Sequence, residues 1–172
     1  MRAFLPVPRV LAAALALIVL GACTRETPTP PPSAAAASGH AHQAPHGGTA
    51  VELGEEAYHL EFVLLAGEGR LQAFVLDGEM ENFVRCAAPA FEVAATVAGE
   101  KRTLTFVAVA DPATGEKAGD TALFEARADW LKSTPKFEGV LTTLTIRGTT
   151  FTAVSFNFPD GNDHDGHDEH KH

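Results

Sequence analysis

Tyr58-His-Leu-Glu-Phe-Val-Leu64 carries the clearest structural signal in this chain, because apolar side chains recur there at every second position. A period of two is that of a β-strand, whose successive side chains point to opposite faces of a sheet. The same alternation continues through most of residues 46–159. It recurs at Phe91, Val93, Ala95 and Val97, at Leu104, Phe106 and Ala108, at Val140, Leu144 and Ile146, and at Thr152, Val154, Phe156 and Phe158.

Turn-forming residues separate these runs at the spacing of β-hairpins. The alternation and the turns together predict an all-β domain of seven to nine antiparallel strands over residues 46–159. A single immunoglobulin-like β-sandwich is the preferred architecture, and a closed β-barrel is the alternative. Asp129-Trp-Leu-Lys132 alone suggests a helical turn. The turn signals are Leu53-Gly54, Gly67-Glu-Gly69, Asp77-Gly78, Gly99-Glu-Lys101, Asp111-Pro-Ala-Thr-Gly115 and Arg147-Gly148.

Residues 1–22 have the character of a signal peptide. Arg2 and Arg9 accompany an almost unbroken apolar run, Val10–Leu20, which has the length of a signal h-region. That run is shorter than the ~20 apolar residues of a membrane span. Leu20-Gly-Ala-Cys23 then resembles a bacterial lipobox, in which the cysteine is lipidated and becomes the mature N-terminus. An ordinary secretory signal followed by an incidental cysteine is the alternative.

Lipidation of Cys23 would anchor the protein in a bacterial cell envelope, because two or more acyl chains hold a protein stably on a membrane. Thr24 follows the cysteine, where an aspartate would favour the inner membrane in many Gram-negative bacteria. The outer membrane, facing the periplasm, is therefore the favoured location. Residues 23–45 are rich in Pro, Ala, Ser and Thr, and they predict a disordered linker because they bury too little apolar surface to offset the entropy of ordering.

Cysteine usage excludes an intramolecular disulfide if Cys23 carries lipid, because Cys86 is then the one remaining thiol. Cys86 ends the apolar stretch Phe83-Val-Arg-Cys86. We expect it to be a small buried hydrophobic residue, with a metal-ligand role as the alternative.

The charge balance is acidic and suits a cation as the partner. The net charge is −9 at pH 7, and removal of residues 1–22, which carry two arginines and no acids, changes it to −11. Nucleic acids and anionic lipids need clustered Lys and Arg, so no nucleic-acid partner is expected.

The C-terminal residues 160–172 concentrate four histidines and five acids within thirteen positions, and their composition predicts a disordered tail. Imidazole and carboxylate are ligands for divalent ions such as Zn²⁺, Cu²⁺, Ni²⁺ and Co²⁺. Because each site in such a tail must first be ordered, we expect exchangeable sites of moderate affinity. The alternative is a solubilising tail with incidental histidines. The candidate ligands are His164, His167, His170, His172, Asp163, Asp165, Asp168 and Glu169.

A second histidine cluster precedes the first strand. His40 and His42 are two residues apart, so an extended chain points both imidazoles to one side, and His46 follows them. The three predict a second, partial metal site, and polar linker histidines are the alternative.

His59 is the one histidine outside the two clusters, and it shares a strand face with Glu61. If Leu60 faces the core, parity places this pair on the solvent side of the strand. A plain surface pair is the expected reading, and half of a metal site is the alternative.

Zinc and copper are the favoured metals. Met80 is the one methionine of the mature chain, which excludes a Met-rich Cu(I) site. Imidazole and carboxylate ligands point to divalent ions. Cu²⁺ has the highest intrinsic affinity of these ions for such ligands, and Zn²⁺ is plausible because it is available in the cell. Enzyme activity is not expected, because the sequence has no Gly-x-Ser-x-Gly elbow, phosphate loop or His-Glu-x-x-His motif.

Pro45-His-Gly-Gly48 opens a pattern that resembles a known domain. The pattern continues with Val51-Glu-Leu-Gly54, Tyr58-His-Leu-Glu-Phe-Val63 and Leu71-Gln-Ala-Phe-Val-Leu-Asp-Gly78. It resembles the small N-terminal β-domain of periplasmic adaptor (membrane-fusion) proteins of heavy-metal efflux pumps. Similar domains look to occur in stand-alone bacterial lipoproteins.

The resemblance covers roughly residues 46–158, with its sharp motifs in the first third. It implies an immunoglobulin-like β-sandwich and a heavy-metal context, and its motif positions in this chain are His46, Gly47 and Gly48. The hairpin, lipoyl-like and barrel segments of those adaptors have no counterpart in this sequence, so we do not expect a pump adaptor itself.

The sequence thus predicts a lipid-anchored envelope protein that binds divalent heavy-metal ions. It would sequester them or pass them to an efflux system. The rival prediction is an immunoglobulin-like lipoprotein that binds a protein partner through a sheet edge or face, with histidines that are incidental.

Overall fold

The computed structural model describes residues 43–162. Within this range the chain forms eight β-strands and two short 3₁₀ turns, one of which, Asp129–Lys132, confirms the predicted helical turn. No helix in the described range is long and apolar enough to cross a bilayer. The strands are β1 (Thr49–Leu53), β2 (Tyr58–Leu65), β3 (Arg70–Asp77), β4 (Ala90–Val97), β5 (Glu100–Ala108), β6 (Leu123–Arg127), β7 (Phe137–Ile146) and β8 (Thr149–Phe158).

All eight strands belong to one sheet, in the order β1-β2-β3-β6-β5-β4-β7-β8, and every pairing is antiparallel. The sheet curls until its two edge strands meet. Thr49 donates a hydrogen bond to the carbonyl of Pro159 (2.9 Å), and the side chain of Asn162 bonds both the N–H (2.7 Å) and the carbonyl (3.1 Å) of Glu52. Side chains and irregular backbone therefore close the seam between β1 and the end of β8.

The structure confirms an all-β fold and the predicted number of antiparallel strands, but the sheet is barrel-like rather than a sandwich of two sheets. The reason lies in β6, which pairs with β3 along Leu123–Arg127 and with β5 through Glu125 and Phe124. One continuous hydrogen-bonded sheet therefore joins the two halves of the fold. Alternating sequence patterns are the same in both architectures, so the sequence could not separate them.

Aromatic rings fill the interior of the curled sheet. Phe62 stacks on Phe156 with ring centroids 5.0 Å apart and lies 5.5 Å from Phe106. Phe106 in turn stacks on Phe91 at 4.8 Å. Large rings that interdigitate in this way bury much apolar surface and leave few voids. Burial of apolar surface is the largest favourable contribution to the stability of a domain without disulfides.

Simple alternation fails in the middle of β8. The sequence pattern places Thr152 on the core face, whereas the structure exposes Thr152 and buries Phe151. Ala153 lies between Phe151 and Phe156 and has a left-handed φ of +54°. This irregularity shifts the alternation of buried side chains by one residue, from odd-numbered to even-numbered positions. A local backbone irregularity of this kind leaves no signature in a hydrophobic pattern.

Cys86 is a free, buried thiol, as the sequence predicted for a small hydrophobic residue. Its Sγ lies 3.7 Å from the carbonyl oxygen of Thr121, to which it can donate. Burial raises the pKa of the Cys86 thiol above its ordinary value, because the thiolate would lose its hydration. The free energy of unfolding therefore decreases as the pH rises from the pKa of the unfolded thiol through the raised pKa of the folded thiol, because the unfolded chain loses this proton first.

We therefore expect Cys86 to resist alkylation in the folded protein. At pH 8 iodoacetamide should modify Cys86 at least ~100-fold more slowly in buffer than in 8 M urea, because the reactive species is an exposed thiolate. Mass spectrometry of the peptide that contains Cys86 measures the two rates. Equal rates in buffer and urea would contradict the buried position.

Candidate functional site around His46 and Glu61

A tight turn places the His-Gly-Gly element at the start of the fold. The N–H of Gly47 donates to the carbonyl of Ala44 (3.0 Å), which closes a β-turn with Pro45 and His46 at its centre. Proline favours the second position of such a turn, and Gly47 adopts a φ of +67° that side chains rarely tolerate. The turn carries His46 and Gly48 onto the outer face of β2.

The carboxylate of Glu61 receives this turn. Its side chain is 0% exposed, and Oε1 accepts hydrogen bonds from the backbone N–H groups of His46 (2.7 Å) and Gly48 (2.9 Å). Oε2 lies 2.8 Å from Nδ1 of the His46 ring. Three donors compensate the cost of removing a carboxylate from water. We call this arrangement of His46, Gly47, Gly48 and Glu61 the clamp.

The clamp brings together two of the segments quoted from the sequence, Pro45-His-Gly-Gly48 and Tyr58-His-Leu-Glu-Phe-Val63. Gly48 packs so closely on β2 that an added Cβ would lie 2.5 Å from the carbonyl oxygen of Phe62 and 2.9 Å from Cγ of Glu61. Only glycine therefore allows the backbone N–H to approach the carboxylate from this side. The two sequence elements are the two halves of one hydrogen-bonded unit.

Parity placed His59 and Glu61 on the solvent side of β2, and this prediction is wrong. Both residues do lie opposite Leu60 and Phe62, but His59 is 2% exposed and Glu61 is fully buried. The turn that ends in Gly48 covers Glu61, and the His59 ring lies 3.4 Å from the carbonyl oxygen of Asp77. Strand periodicity gives the face of a side chain but does not show that another segment covers that face.

Aromatic rings support the imidazole of His46. The ring stacks on Phe74 with centroids 4.0 Å apart and planes 18° apart, and it lies 5.7 Å from Phe83. Phe74 is the cross-strand partner of Glu61 in β3, so it sits directly beside the carboxylate. The Glu61 contact and the Phe74 stack together fix the position and the plane of the ring.

Phe83 is held in place by a turn that Asp77 stabilises. The carboxylate of Asp77 accepts hydrogen bonds from the backbone N–H groups of Glu81 and Asn82 and from the side chain of Asn82 (2.7 Å). Although burial works in the opposite direction, these hydrogen bonds lower the pKa of Asp77. Phe83 follows the turn directly and remains 51% exposed.

A groove of about 490 Å³ runs from His46 and Phe83 towards the loop of residues 109–122. Arg85 lies in its wall and donates to the carbonyl of Thr114 (2.6 Å). The guanidinium also lies 3.7 Å from Glu116 and 3.4 Å from Asp120. Of the two acids that line the groove, Asp111 and Glu116, Arg85 pairs with Glu116, and His46 lines the same groove.

The chemistry of His46 follows from its two ring nitrogens. Nδ1 faces the carboxylate of Glu61, the ring is 39% exposed, and Nε2 has no hydrogen bond to any residue within 43–162. A carboxylate that holds one nitrogen while the other points outward is the arrangement that orients metal-binding histidines. Within the described range no three His, Cys, Asp or Glu residues lie together as a metal-binding group. His46 can supply one ligand from this position.

Of the ligands predicted from the sequence, His46 is the one that lies within the described residues. The structure says nothing about whether the others come together, and their role stays a prediction. Outside residues 43–162 lie the lipidation candidate Cys23 and the metal-ligand candidates His40, His42, Asp163, His164, Asp165, His167, Asp168, Glu169, His170 and His172.

Sequence reasoning missed the pairing of Glu61 with His46 and the two rings around it, Phe74 and Phe83. Glu61 carries no signal of its own, because a carboxylate between two core residues is the ordinary alternation of a strand with one solvent-facing side. The partners of the two phenylalanines depend on strand register and on the turn at Asp77, which alternation does not encode.

Comparison with known proteins identifies no relative of this chain: no family model matches it, and neither a curated protein nor a solved structure matches at a significant level.

Gly48→Ala tests the clamp directly. We expect it to lower the free energy of unfolding by about 2–3 kcal/mol, because the new methyl would overlap the backbone of Phe62 and push the turn away from Glu61. Urea denaturation followed by circular dichroism measures the change.

Gly67→Ala is the matched control, because an added Cβ there meets no atom within 4 Å and the backbone is not left-handed. Its effect should stay within about 0.5 kcal/mol. Similar losses of stability in the two variants would contradict the close packing at Gly48.

Proposed function

We propose that this protein is a lipid-anchored protein of the bacterial envelope that binds divalent heavy-metal ions through histidines on both sides of its β-domain. It would hold these ions near the membrane or deliver them to an efflux system. The observation that carries the proposal is the His46 ring, 39% exposed, with Nδ1 held by the fully buried carboxylate of Glu61.

The contact between the His46 ring and the Glu61 carboxylate suits a metal ligand. When Nδ1 carries the hydrogen of a neutral imidazole, it donates a hydrogen bond to the carboxylate, and the lone pair of the ring is on Nε2. Only a neutral imidazole binds a metal, and a carboxylate partner increases its basicity and fixes its orientation. His42 and His40 precede His46 by four and six residues, so the chain offers further imidazoles close by.

The charge of the chain supports the same proposal. Its net charge of −9 favours cations around it, and five of its acids lie among the C-terminal histidines. Imidazole and carboxylate together select borderline ions such as Zn²⁺ and Cu²⁺ over hard ions such as Mg²⁺.

Calorimetric titration of the full chain in detergent tests the proposal. We expect binding of Zn²⁺ and Cu²⁺ at pH 7.5, little binding of Mg²⁺, and weaker binding below about pH 6, because imidazoles with an ordinary pKa near ~6.5 become protonated there. The comparison variant replaces His164, His167, His170 and His172 by asparagine and should bind less metal. The absence of Zn²⁺ and Cu²⁺ binding at neutral pH would contradict the proposal.

A second candidate function is a protein-interaction module. The observation in its favour is Phe83, whose large apolar ring is 51% exposed at the rim of a groove. Under this alternative Phe83→Ser would abolish partner binding, and the His→Asn variant would leave partner binding unchanged. The two functions therefore respond to different substitutions.

A further inference from the structure

Phe83 is an apolar ring that the fold keeps at the surface. It is 51% exposed, and Val107 is the one other large apolar residue that is exposed within residues 43–162. The backbone beside the ring is fixed to β3, because the N–H of Val84 donates a hydrogen bond to the carbonyl of Val75 (2.8 Å). A ring that is already held in place can contact a partner at a low cost in conformational entropy.

The groove beside Phe83 also contains a carboxylate without a cationic partner. Asp111 lines the same groove of about 490 Å³. Its Oδ1 atom accepts a hydrogen bond from the N–H of Ala113 (2.9 Å), and no Lys, Arg or His in the described part of the chain forms an ion pair with this carboxylate. Arg85, the one Lys or Arg in the groove wall, pairs with Glu116 instead. Asp111 is therefore free to pair with a cation that a ligand brings.

Acidic residues are in excess around this groove. Most of its lining comes from two segments, residues 77–85 and 109–122, which together carry six acids and two bases, a net charge of −4. A negative surface of this kind attracts cationic partners and repels anionic ones. The acids are Asp77, Glu79, Glu81, Asp111, Glu116 and Asp120, and the bases are Arg85 and Lys117.

An arginine side chain is complementary to both features of the groove. Apolar surface comes from Phe74, Phe83 and Leu123, which are all at least partly exposed, and the available negative charge comes from Asp111. The guanidinium of arginine is planar, stacks on aromatic rings and forms hydrogen bonds to carboxylates. The groove volume lies within the ~300–1,000 Å³ of sites that enclose small ligands, which suits a short peptide segment.

We propose that the groove binds an extended segment of a partner protein in which an arginine lies beside an apolar residue. The guanidinium stacks on Phe83 and pairs with Asp111, and the apolar neighbour contacts Leu123. This proposal rests on the second candidate function given above, the protein-interaction module, and names the chemistry of its partner. It does not depend on metal binding.

Nuclear magnetic resonance of the isotope-labelled full chain in a non-ionic detergent tests the proposal. The probe is the peptide acetyl-Leu-Arg-Leu-amide, and its matched control carries citrulline, which keeps the shape of arginine without the charge. We expect the arginine peptide to shift the amide signals of Phe83, Asp111 and Thr114 with a Kd below ~1 mM. The citrulline peptide should bind at least ~5-fold more weakly, because it forms no charge-assisted hydrogen bond to the carboxylate.

Asp111→Asn identifies the carboxylate that is responsible. The amide oxygen can still accept the hydrogen bond from Ala113, so the loop keeps this contact while the charge is lost. We expect the variant to bind the arginine peptide at least ~5-fold more weakly and the citrulline peptide as before. Glu92→Gln is the matched control, because it removes an exposed acid that does not line the groove, and its effect should stay below ~2-fold.

The possible outcomes separate the partner chemistry from the function on which it rests. Equal affinity for the arginine and citrulline peptides, or equal losses in Asp111→Asn and Glu92→Gln, would overturn the arginine partner and leave the interaction function standing. If neither peptide shifts the groove signals at up to ~5 mM, the groove is not an interaction site and both are contradicted. Metal binding is decided separately, by the calorimetric titration.

Discussion

Replacing Glu61 by alanine is expected to lower the free energy of unfolding by about 3 kcal/mol. The substitution removes the acceptor of three hydrogen bonds, each of which is worth ~1.5–3 kcal/mol when the acceptor is charged. Water that enters the vacated space recovers part of this loss. Urea denaturation followed by tryptophan fluorescence and circular dichroism measures the change.

Glu92→Ala is the matched control for this prediction. Glu92 is also in a strand, β4, but its side chain is exposed and has no role in the clamp. Its replacement should change the free energy of unfolding by no more than about 0.5 kcal/mol. Equal effects of the two substitutions would show that the Glu61 carboxylate is not a structural acceptor.

The adjacent substitution, Phe62→Ala, should lower the free energy of unfolding by about 3–5 kcal/mol. Phe62 is 1% exposed and contacts the rings of Phe106 and Phe156 inside the barrel-like sheet. Its removal costs the transfer free energy of a large ring and leaves a cavity that the surrounding strands close only in part. Thermal and urea unfolding measured on the same samples provide the value.

Phe83→Ala is the control for Phe62, because Phe83 is a phenylalanine with half of its side chain in solvent. We expect a loss of about 1 kcal/mol or less, mainly from its contacts with His46 and Phe74. A larger loss of stability for Phe83→Ala than for Phe62→Ala would contradict the position of Phe62 in the core.

Glu61 and Phe62 are neighbours in sequence, but their substitutions should lower the stability for different reasons. Phe62→Ala removes apolar packing inside the sheet, and Phe62→Leu should restore much of the stability because the cavity is smaller. Glu61→Leu should restore little, since the two N–H groups of His46 and Gly48 would face a side chain that cannot accept hydrogen bonds. The two faces of β2 therefore stabilise the fold differently, by apolar packing at Phe62 and by hydrogen bonds at Glu61.

The fold class was predictable because it depends on local information. Alternation around Leu60 and Phe62 requires a strand whatever the rest of the chain does, and turn residues such as Gly54 and Arg147-Gly148 separate successive strands. The closure of the sheet was not predictable in the same way. It depends on which strand edges pair, above all on the two edges of β6, and alternation carries no information on pairing.

The residues of the candidate site also fall into those that the sequence indicates and those that only the tertiary structure reveals. His46, Gly47 and Gly48 could be selected from the sequence, because glycines beside a histidine indicate an unusual backbone. Glu61 and Phe74 could not, since each belongs to a strand and reaches His46 only through register and a turn that folds over β2. Glu61 lies on the face of β2 that the sequence pattern assigns to solvent, and the turn that ends in Gly48 covers it.

The sequence by itself determined that this chain forms short antiparallel strands, that Cys86 is buried, and that seven of its eight histidines fall in two short clusters of the sequence. These are consequences of side-chain periodicity and composition, which act over a few neighbouring residues. Tertiary structure alone decided that the sheet curls until its edges meet, that Glu61 holds His46, and that Asn162 is hydrogen-bonded to Glu52 of β1. Contacts of this kind join residues 15 to 110 positions apart, and they form only when the whole sheet brings them together.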